Sequence, residues 1–175
     1  AYNMQDRERD QNEVIVIQDD FANDHVLSAV YQGKYDIIFH QAAVPRVSYS
    51  VEQPWHTTDV NISKTVRLFE ASRGGVQRIV WASSSSVYGG ADLEKLPIKE
   101  SEIKNPKSPY AWQKCAIEDF AKMCWDLYEL DVVCLRYFNV FGPGQYGDSP
   151  YSTAISAWCH ACLLYTSDAA DEKVR

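Results

Sequence analysis

A tyrosine and a lysine in the second half of the sequence have the spacing of a proton-transfer pair. Tyr110 and Lys114 are four residues apart, so on a helix their Cβ atoms lie about 6 Å apart on one face. A free phenol ionises near pH ~10, so a base working at pH 7 needs a shift of ~3 units, or ~4 kcal/mol. One cation at ~5 Å supplies ~3 kcal/mol at an effective dielectric constant of about 20. Lys114 therefore falls slightly short, and a second positive charge would complete the shift. The alternative is a surface pair on an amphipathic helix.

A cluster of four serines, Ser83–Ser86, follows a β-branched run and precedes Val87-Tyr88-Gly89. At the end of a strand, a serine hydroxyl can hydrogen-bond a substrate oxygen that Tyr110 deprotonates. A polar turn explains the same residues equally well, since serines favour turns in any protein. The cluster alone leaves both interpretations open.

The elements that must position these residues alternate between strand-like and helix-like segments. Short β-branched runs predict buried parallel strands at Val14–Ile17, Asp36–His40, Arg78–Ser83 and Val132–Tyr137. Helices are predicted at Asp24–Gln32, Thr57–Ser72, Tyr110–Leu130 and Ser152–Ala161. The alternation predicts an α/β fold, a doubly wound parallel sheet with helices on both faces and right-handed crossovers.

Ligands of such sheets bind at the carboxyl ends of the strands. The predicted strand ends carry small or polar residues, namely Asp19-Asp20-Phe21, His40-Gln41-Ala42-Ala43, Ser83–Ser86 and Phe138-Asn139. We therefore expect these segments to line one site. His40 itself is interpreted as a packed strand residue.

The composition excludes several classes of partner. The chain has 175 residues, 46% of them hydrophobic, and a formal net charge of −7. An acidic chain without a basic run argues against nucleic acid or an anionic membrane as the partner. No apolar stretch approaches the ~20 residues that span a bilayer, and the polar start lacks the apolar core of a signal peptide. We expect a cytoplasmic protein.

Five cysteines lie at uneven spacings, at Cys115, Cys124, Cys134, Cys159 and Cys162. This arrangement favours reduced core thiols over a disulfide framework. The last two imitate a metal or redox pair, but the chain offers no second ligand cluster for it. We expect no metal site.

Three consecutive motifs carry a resemblance to a known superfamily. They are Ala82-Ser83-Ser84-Ser85-Ser86-Val87-Tyr88-Gly89, Ser108-Pro109-Tyr110-Ala111-Trp112-Gln113-Lys114 and Leu135-Arg136-Tyr137-Phe138-Asn139-Val140-Phe141-Gly142-Pro143. In order and spacing they resemble signatures of the extended short-chain dehydrogenase/reductase superfamily, and the similarity covers residues 14–161. Within that superfamily the chain looks most like the NAD-dependent nucleotide-sugar 4-epimerases of the UDP-glucose 4-epimerase type. The resemblance implies a Rossmann-like domain, NAD as cofactor and a nucleotide sugar as substrate.

The resemblance also implies roles for individual residues. Tyr110 would take the proton from the sugar 4-hydroxyl, and Lys114 would hold the nicotinamide ribose while lowering the pKa of Tyr110, with the oxidised nicotinamide as the second positive charge. Ser84 matches the catalytic serine or threonine and would contact the substrate. Contacts to NAD are implied for Asp20 and Phe21 at the adenine, for Gln41, Ala42, Ala43 and Val44 at the phosphates and ribose, and for Asn61, Ala82 and Phe138. Asn139 would reach the substrate diphosphate.

Simpler structural roles remain open for three of these residues. Asp20 and Phe21 also fit a helix-capping turn and a core ring, and Asn139 also fits a turn after a strand. Lys64 stands where the family usually has glycine, three residues after Asn61.

Ser85 and Ser86 favour 4-epimerisation over the dehydration and decarboxylation that similar enzymes perform. Nucleotide-sugar 4,6-dehydratases carry Asp-Glu where Ser85 and Ser86 stand, and UDP-glucuronate decarboxylases carry glutamate at the position of Ser86. Hydroxyls cannot replace carboxylates as bases near neutral pH, so 4-epimerisation through transient oxidation at C4 is favoured. Dehydratase, decarboxylase and one-way reductase activities are the alternatives. A non-catalytic dinucleotide-binding scaffold is the alternative of another class.

Two parts of the family pattern are missing. No Gly-x-x-Gly-x-x-Gly turn, which would hold the cofactor pyrophosphate, occurs among the eight glycines. We expect residues 1–161 to be an NAD-binding domain truncated at both ends, without that turn and without the smaller sugar-selecting domain. Residues 162–175 resemble a translated sequencing-library adapter and are predicted to be a non-native tail. The isolated chain is expected to bind little NAD and to be inactive.

Apolar residues on two predicted helices bear on self-association. They are Val66, Phe69, Ile117, Phe120, Met123 and Leu127. By resemblance, equivalent helices pair across a homodimer as a four-helix bundle. A stripe that faces the chain's own core explains the same residues equally well.

Overall fold

The computed structural model describes residues 14–90, 96–145 and 154–164. The chain divides into two compact units. One comprises residues 18–137, and the other comprises residues 1–17 together with residues 138–175. The larger unit contains the predicted tyrosine, lysine and serine cluster.

The larger unit is built on a three-stranded parallel sheet. Its strands are β1 (Ile37–His40), β2 (Arg78–Ser84) and β3 (Val132–Tyr137), in that spatial order. The register aligns Ile38 with Ile79 and Ala82 with Leu135. These strands are the predicted β-branched runs, so the parallel α/β architecture is confirmed.

The helices of this unit connect or precede these strands. They are α1 (Asp24–Tyr31), α2 (Val47–Glu52), α3 (Pro54–Thr58), α4 (Lys64–Ser72) and α5 (Pro109–Tyr128). A π-helical segment, Asp59–Ser63, joins α3 to α4, and a 3₁₀ turn, Ser85–Tyr88, follows β2. The helix predicted at Thr57–Ser72 thus begins at Pro54 and contains a π segment, and α2 was not predicted.

One face of the sheet carries the core. Ile79 and Trp81 of β2 are buried together with Phe69 of α4 and Ile117 of α5. Because the strand order never reverses, right-handed crossovers place successive helices on the same face. On the opposite face of the sheet, Phe39 of β1 is 71% exposed. The helices expected on a second face are not among the described helices of this unit.

The burial of the apolar helix residues distinguishes a role in the chain's own core from a role in self-association. Phe69 and Ile117 are buried in the chain's own core, and Val66 and Phe120 pack against it. For Phe69 and Ile117 the structure therefore supports the alternative of a stripe that faces the chain's own core. Met123 and Leu127 are exposed, so a role in self-association stays a prediction for them.

The smaller unit contains the predicted first strand, and this prediction is wrong. Val14–Ile17 is not a strand, and its four apolar side chains are exposed. A strand is stabilised by hydrogen bonds to a neighbour, and in the described part of the chain the sheet consists of β1, β2 and β3 alone.

The last helix, α6 (Ala154–Leu164), continues three residues beyond the predicted end at Ala161. Its predicted start at Ser152 and the tail residues 165–175 lie outside the described residues. Cys159 and Cys162 are exposed on α6, so the buried-thiol prediction is wrong for them, because neither occupies a packed face. Among the described residues, no helix combines the length and apolarity needed to cross a membrane, and no group of His, Cys, Asp and Glu could hold a metal ion.

Candidate active site

The serine cluster lies at the carboxyl end of β2, in the candidate site. The chain leaves the strand at Ser84 and turns at once into the 3₁₀ segment. The Ser84 hydroxyl accepts hydrogen bonds from the Ser86 amide (3.2 Å) and the Ser86 hydroxyl (2.9 Å). Gly89 ends the turn at φ +74°, where a Cβ would lie 1.8 Å from the Asn105 carbonyl oxygen. Only glycine fits this position. Gly89 therefore allows the tight turn that directly follows Ser84.

Two serines hold the first turn of α5, which carries the predicted base. The Ser108 hydroxyl caps the helix by accepting from the Ala111 amide at 3.1 Å. The Tyr110 amide donates to the hydroxyl of Ser50, a buried residue of α2, also at 3.1 Å. The Tyr110 and Ala111 amides, which have no acceptor within the helix, are therefore both satisfied. Pro109 occupies the first helical position, where its missing N–H costs nothing.

Ser84, Tyr110 and Lys114 converge as predicted. Tyr110 and Lys114 are 8% and 3% exposed. Burial raises the pKa of the Tyr110 phenol, and a hydrogen bond with the Ser84 side chain lowers it in part. The Lys114 Nζ donates to the Ala82 carbonyl oxygen at 2.6 Å and lies 4.5 Å from the centre of the Trp81 ring. Burial lowers the pKa of Lys114 to about 8.

The predicted effect of Lys114 on Tyr110 is not found in the ligand-free chain. The pKa of Tyr110 is raised, not lowered. The Lys114 ammonium lies 5.6 Å from the centre of the Tyr110 ring and is hydrogen-bonded to Ala82. Desolvation of the phenolate therefore outweighs the hydrogen bond with Ser84. Ionisation of Tyr110 near neutral pH needs a further positive charge beside it.

The loop after β1, Gln41–Val44, is held by Asn61. The Asn61 side chain is buried, accepts from the Val44 amide at 2.8 Å and donates to the Val44 carbonyl oxygen at 3.1 Å. Asn61 lies in the π-helical segment, a feature that is frequent at functional sites. The lysine that departs from the family pattern, Lys64, forms an ion pair with Asp20 and leaves Asn61 in contact with the loop.

Phe21 packs against the core as a partly buried ring, whereas Asp20 lies in the turn before α1 and does not cap that helix. The Asp20 carboxylate accepts from the Ala22 amide at 2.9 Å and pairs with Lys64. These hydrogen bonds, the one from Lys64 first, lower the pKa of Asp20. The Phe21 ring packs on the His40 ring, 4.7 Å between centres. Burial lowers the pKa of His40 to about 4, so it is a neutral packing residue near pH 7. Adenine contacts by Asp20 and Phe21 stay predictions.

The structure shows the surroundings of some of the remaining predicted site residues but not of all. Gln41 and Ala42 line a cavity of about 430 Å³ with Phe21 and His40. Ala43 is half-buried in the same loop. Phe138 and Asn139 follow β3 in the chain and belong to the smaller unit, so their roles stay predictions. The larger cleft, about 780 Å³ and lined by Asp24, Arg67 and Tyr128 among others, includes none of the predicted site residues.

Sequence reasoning missed two polar residues that organise the site. Ser50 lies on a helix that was not predicted, so no local signal pointed to it. Gln113 is fully buried and bonded to Asn61. A signal for Gln113 existed, because it directly precedes Lys114 within the motif and an uncharged amide on a packed helix face requires partners.

The residues at this strand end could hold the hydroxyl groups of a ribose. An ammonium has three N–H donors. Among the described residues, Ala82 supplies the one hydrogen-bond acceptor for Lys114, which leaves two donors for ribose hydroxyls. Near neutral pH, Tyr110 and Ser84 add hydroxyls that donate or accept. The site can thus bind a ribose beside an alcohol or a ketone.

A family model and several known proteins are similar to this chain. A family model described as the NAD dependent epimerase/dehydratase family matches residues 2–168. The dTDP-D-glucose 4,6-dehydratase of Mus musculus is 35% identical over 155 residues, 86% of this chain and 43% of the relative. The structure of UDP-N-acetylglucosamine 4-epimerase from Methanobrevibacter ruminantium M1 with UDP-N-acetylmuramic acid has a TM-score of 0.77 and 39% identity, covering 85% of this chain and 47% of that chain. UDP-glucose 4-epimerase from Thermus thermophilus with NAD has a TM-score of 0.73 and 31% identity, covering 83% and 47%.

This chain spans less than half the length of each of these three relatives. The neighbours confirm the Rossmann-like fold, and the family with its NAD-bound member indicates a nicotinamide dinucleotide as cofactor. Epimerases and a dehydratase both occur among the relatives. The chain belongs to the NAD-dependent epimerase/dehydratase family.

Proposed function

We propose that this chain is part of a nucleotide-sugar 4-epimerase that works by transient oxidation at C4 with NAD. The enzyme of which it would form part is called the parent enzyme below. The observation that carries the proposal is the convergence of Ser84, Tyr110 and Lys114 at the end of β2, next to hydroxyls at Ser85 and Ser86. The parent enzyme is further proposed to be a homodimer, and the isolated chain to be inactive.

The chain's own residues would move one proton and hold two ligands. Tyr110 removes the proton of the sugar 4-hydroxyl, and Ser84 hydrogen-bonds the same oxygen. Lys114 donates to the ribose hydroxyls and keeps a positive charge near the phenol. NAD, held at its ribose by Lys114, would supply the acceptor and donor of the C4 hydride. On the return step Tyr110 gives the proton back to the C4 oxygen.

The raised pKa of Tyr110 in the ligand-free chain fits this scheme. A phenol that is neutral without a cofactor becomes a base when a cationic ring lies beside it. Proton removal is then coupled to the presence of the oxidised cofactor. The scheme returns NAD to its starting state in each turnover, so no net oxidant is consumed.

A second candidate is a 4,6-dehydratase, because one of the relatives carries that name. That reaction needs an acid and a base for the C5 proton and the C6 hydroxyl. At the two positions expected for them stand Ser85 and Ser86, and the Ser86 hydroxyl donates to Ser84. Hydroxyl groups in this arrangement support the epimerase instead. The complete set of Ser84, Tyr110 and Lys114 argues against a non-catalytic scaffold.

The test is Tyr110→Phe in the parent enzyme. Turnover of a nucleotide-sugar panel should fall by about 10²–10⁴, the usual contribution of a general base, while cofactor affinity stays within a few-fold. Tyr128→Phe is the matched control, since Tyr128 ends the same helix and lies in the other cleft. Near-normal turnover of Tyr110→Phe would refute the assignment.

A further inference from the structure

Buried side-chain hydrogen bonds connect the catalytic helix to the loop after β1. Gln113 of α5 has no exposed surface. Its Nε2 donates to the hydroxyls of Thr57 (3.0 Å) and Thr58 (3.1 Å), and its Oε1 accepts from Asn61 Nδ2 at 2.8 Å. Gln113 thereby joins α5 to α3 and to the π-helical segment.

Asn61 extends this connection to the loop. Its Oδ1 accepts from the Val44 amide, while its Nδ2 donates to both the Val44 carbonyl oxygen and Gln113. An amide nitrogen has two N–H donors, so both are used. The orientation of the Asn61 amide is therefore fixed from two sides, by Gln113 and by the Val44 backbone.

We infer that Gln113 is a positioning residue for the loop Gln41–Val44, and through Asn61 sets the affinity for the dinucleotide. The inference rests on the proposed role of that loop in cofactor binding. Without Gln113, one Asn61 donor is buried and unpaired, so Asn61 must turn away from Val44 or lose the hydrogen bond. Either change frees the loop before any cofactor binds.

The first test needs no cofactor. In the ligand-free parent enzyme, Gln113→Met preserves volume and removes the amide. Hydrogen exchange at the Val44 amide should become about tenfold faster, the equivalent of one hydrogen bond's net contribution. Ser72→Ala is the control, since it removes another buried side-chain hydrogen bond, to Leu68, from the adjoining helix α4. Exchange at Val44 that is unchanged in Gln113→Met, or equally faster in Ser72→Ala, would overturn the inference.

The second test measures affinity for NAD⁺ and for NADP⁺ by titration. Gln113→Met should weaken binding of the preferred dinucleotide about tenfold. In an Asn61→Ala background, the same substitution should have little further effect, because its route to the loop is gone. An equal loss in both backgrounds, or unchanged affinity in Gln113→Met, would overturn the inference.

A second variant and the choice of readouts allow the inference to be tested even if Gln113→Met does not fold or the proposed reaction is wrong. If Gln113→Met does not fold, Thr58→Val removes one anchor of Gln113, and a smaller weakening of about threefold is expected. Unchanged affinity in a folded Thr58→Val would count against the inference. Because the readouts are amide exchange and dinucleotide affinity, they remain valid if the parent enzyme epimerises no sugar. That result would remove the proposed reaction and leave the role of Gln113 standing.

Discussion

The backbone amide of Tyr110 donates a 3.1 Å hydrogen bond to the hydroxyl of Ser50, sixty residues earlier in the chain. The candidate base therefore begins its helix against α2, while Ser108 caps the adjacent amide of Ala111. The position of the phenol depends on a contact between two distant elements.

Removal of the Ser50 hydroxyl tests this dependence. Ser50→Ala should lower the free energy of unfolding by about 1–2 kcal/mol, because a buried helix-start amide loses its acceptor. Turnover should fall a few-fold as the first turn of α5 loosens. Ser48→Ala, an exposed change on the same short helix, is the control. Urea unfolding of the parent enzyme measures the difference, and equal stabilities of the two variants would contradict the account.

Burial of the Lys114 ammonium lowers the stability of the folded chain, although the same charge is proposed to serve catalysis. Burial lowers its pKa to about 8 from an ordinary value of 10.5. Between these values the unfolded chain binds a proton that the folded chain has released, so the contribution to stability rises with pH across the window. Below pH 8 both states are protonated, and the cost of burying the charge is fully present.

Lys114→Met should therefore leave the ligand-free protein at least as stable at pH 7, while turnover falls by about 10²–10⁴. The rise in stability between pH 8 and 10.5 should be smaller in this variant than in the native protein. Lys122→Met, an exposed change on the same helix, should alter neither property. Thermal unfolding as a function of pH measures the stability, and a marked loss of stability of Lys114→Met at pH 7 would contradict the account.

A partly buried ion pair contacts the strand that carries the serine cluster, through Ser83. Arg136 of β3 donates to both carboxylate oxygens of Glu118 in α5, at 2.9 and 2.8 Å, and Ser83 donates to the same carboxylate at 2.6 Å. Burial alone would raise the pKa of Glu118, but the hydrogen bonds from Arg136 and Ser83 outweigh it and lower the pKa. This stability is present above the ordinary value of 4.5 and is lost as pH falls through the lowered pKa.

Glu118→Ala should cost about 3 kcal/mol of stability, because it leaves the Arg136 charge partly buried and unpaired. The double variant Glu118→Leu/Arg136→Met should recover part of that loss. Asp119→Ala removes a neighbouring but exposed carboxylate and should change stability little. Chemical unfolding at pH 7 tests the comparison, and a double variant no more stable than Glu118→Ala would contradict it.

Three strands and the catalytic helix were predictable because their signals are local. β-branched runs marked β1, β2 and β3, and the serine and proline before Tyr110 marked the start of α5. The motif spacing then placed Ser84, Tyr110 and Lys114 together. The strands and the helix depend on neighbours in sequence, and the structure bears them out, whereas the roles of the three residues stay predictions.

Other features depend on partners far away in the chain. The Asp59–Ser63 π segment has no distinctive composition, and its Asn61 contacts the backbone of Val44, 17 residues earlier in the chain. The raised pKa of Tyr110 follows from burial, which spacing does not reveal. Val14–Ile17 has the composition of a strand, yet a strand also needs a neighbour to pair with.

The route of hydrogen at C4 and C5 tests the central claim most directly. The parent enzyme is incubated in D₂O with UDP-glucose, UDP-glucuronate, UDP-N-acetylglucosamine and dTDP-glucose, and the products are examined by NMR and mass spectrometry. The account predicts a C4 epimer that keeps its original C4 hydrogen, takes up no deuterium at C5 and forms without net consumption of NAD. A product that has lost water and carries deuterium at C5 would contradict it.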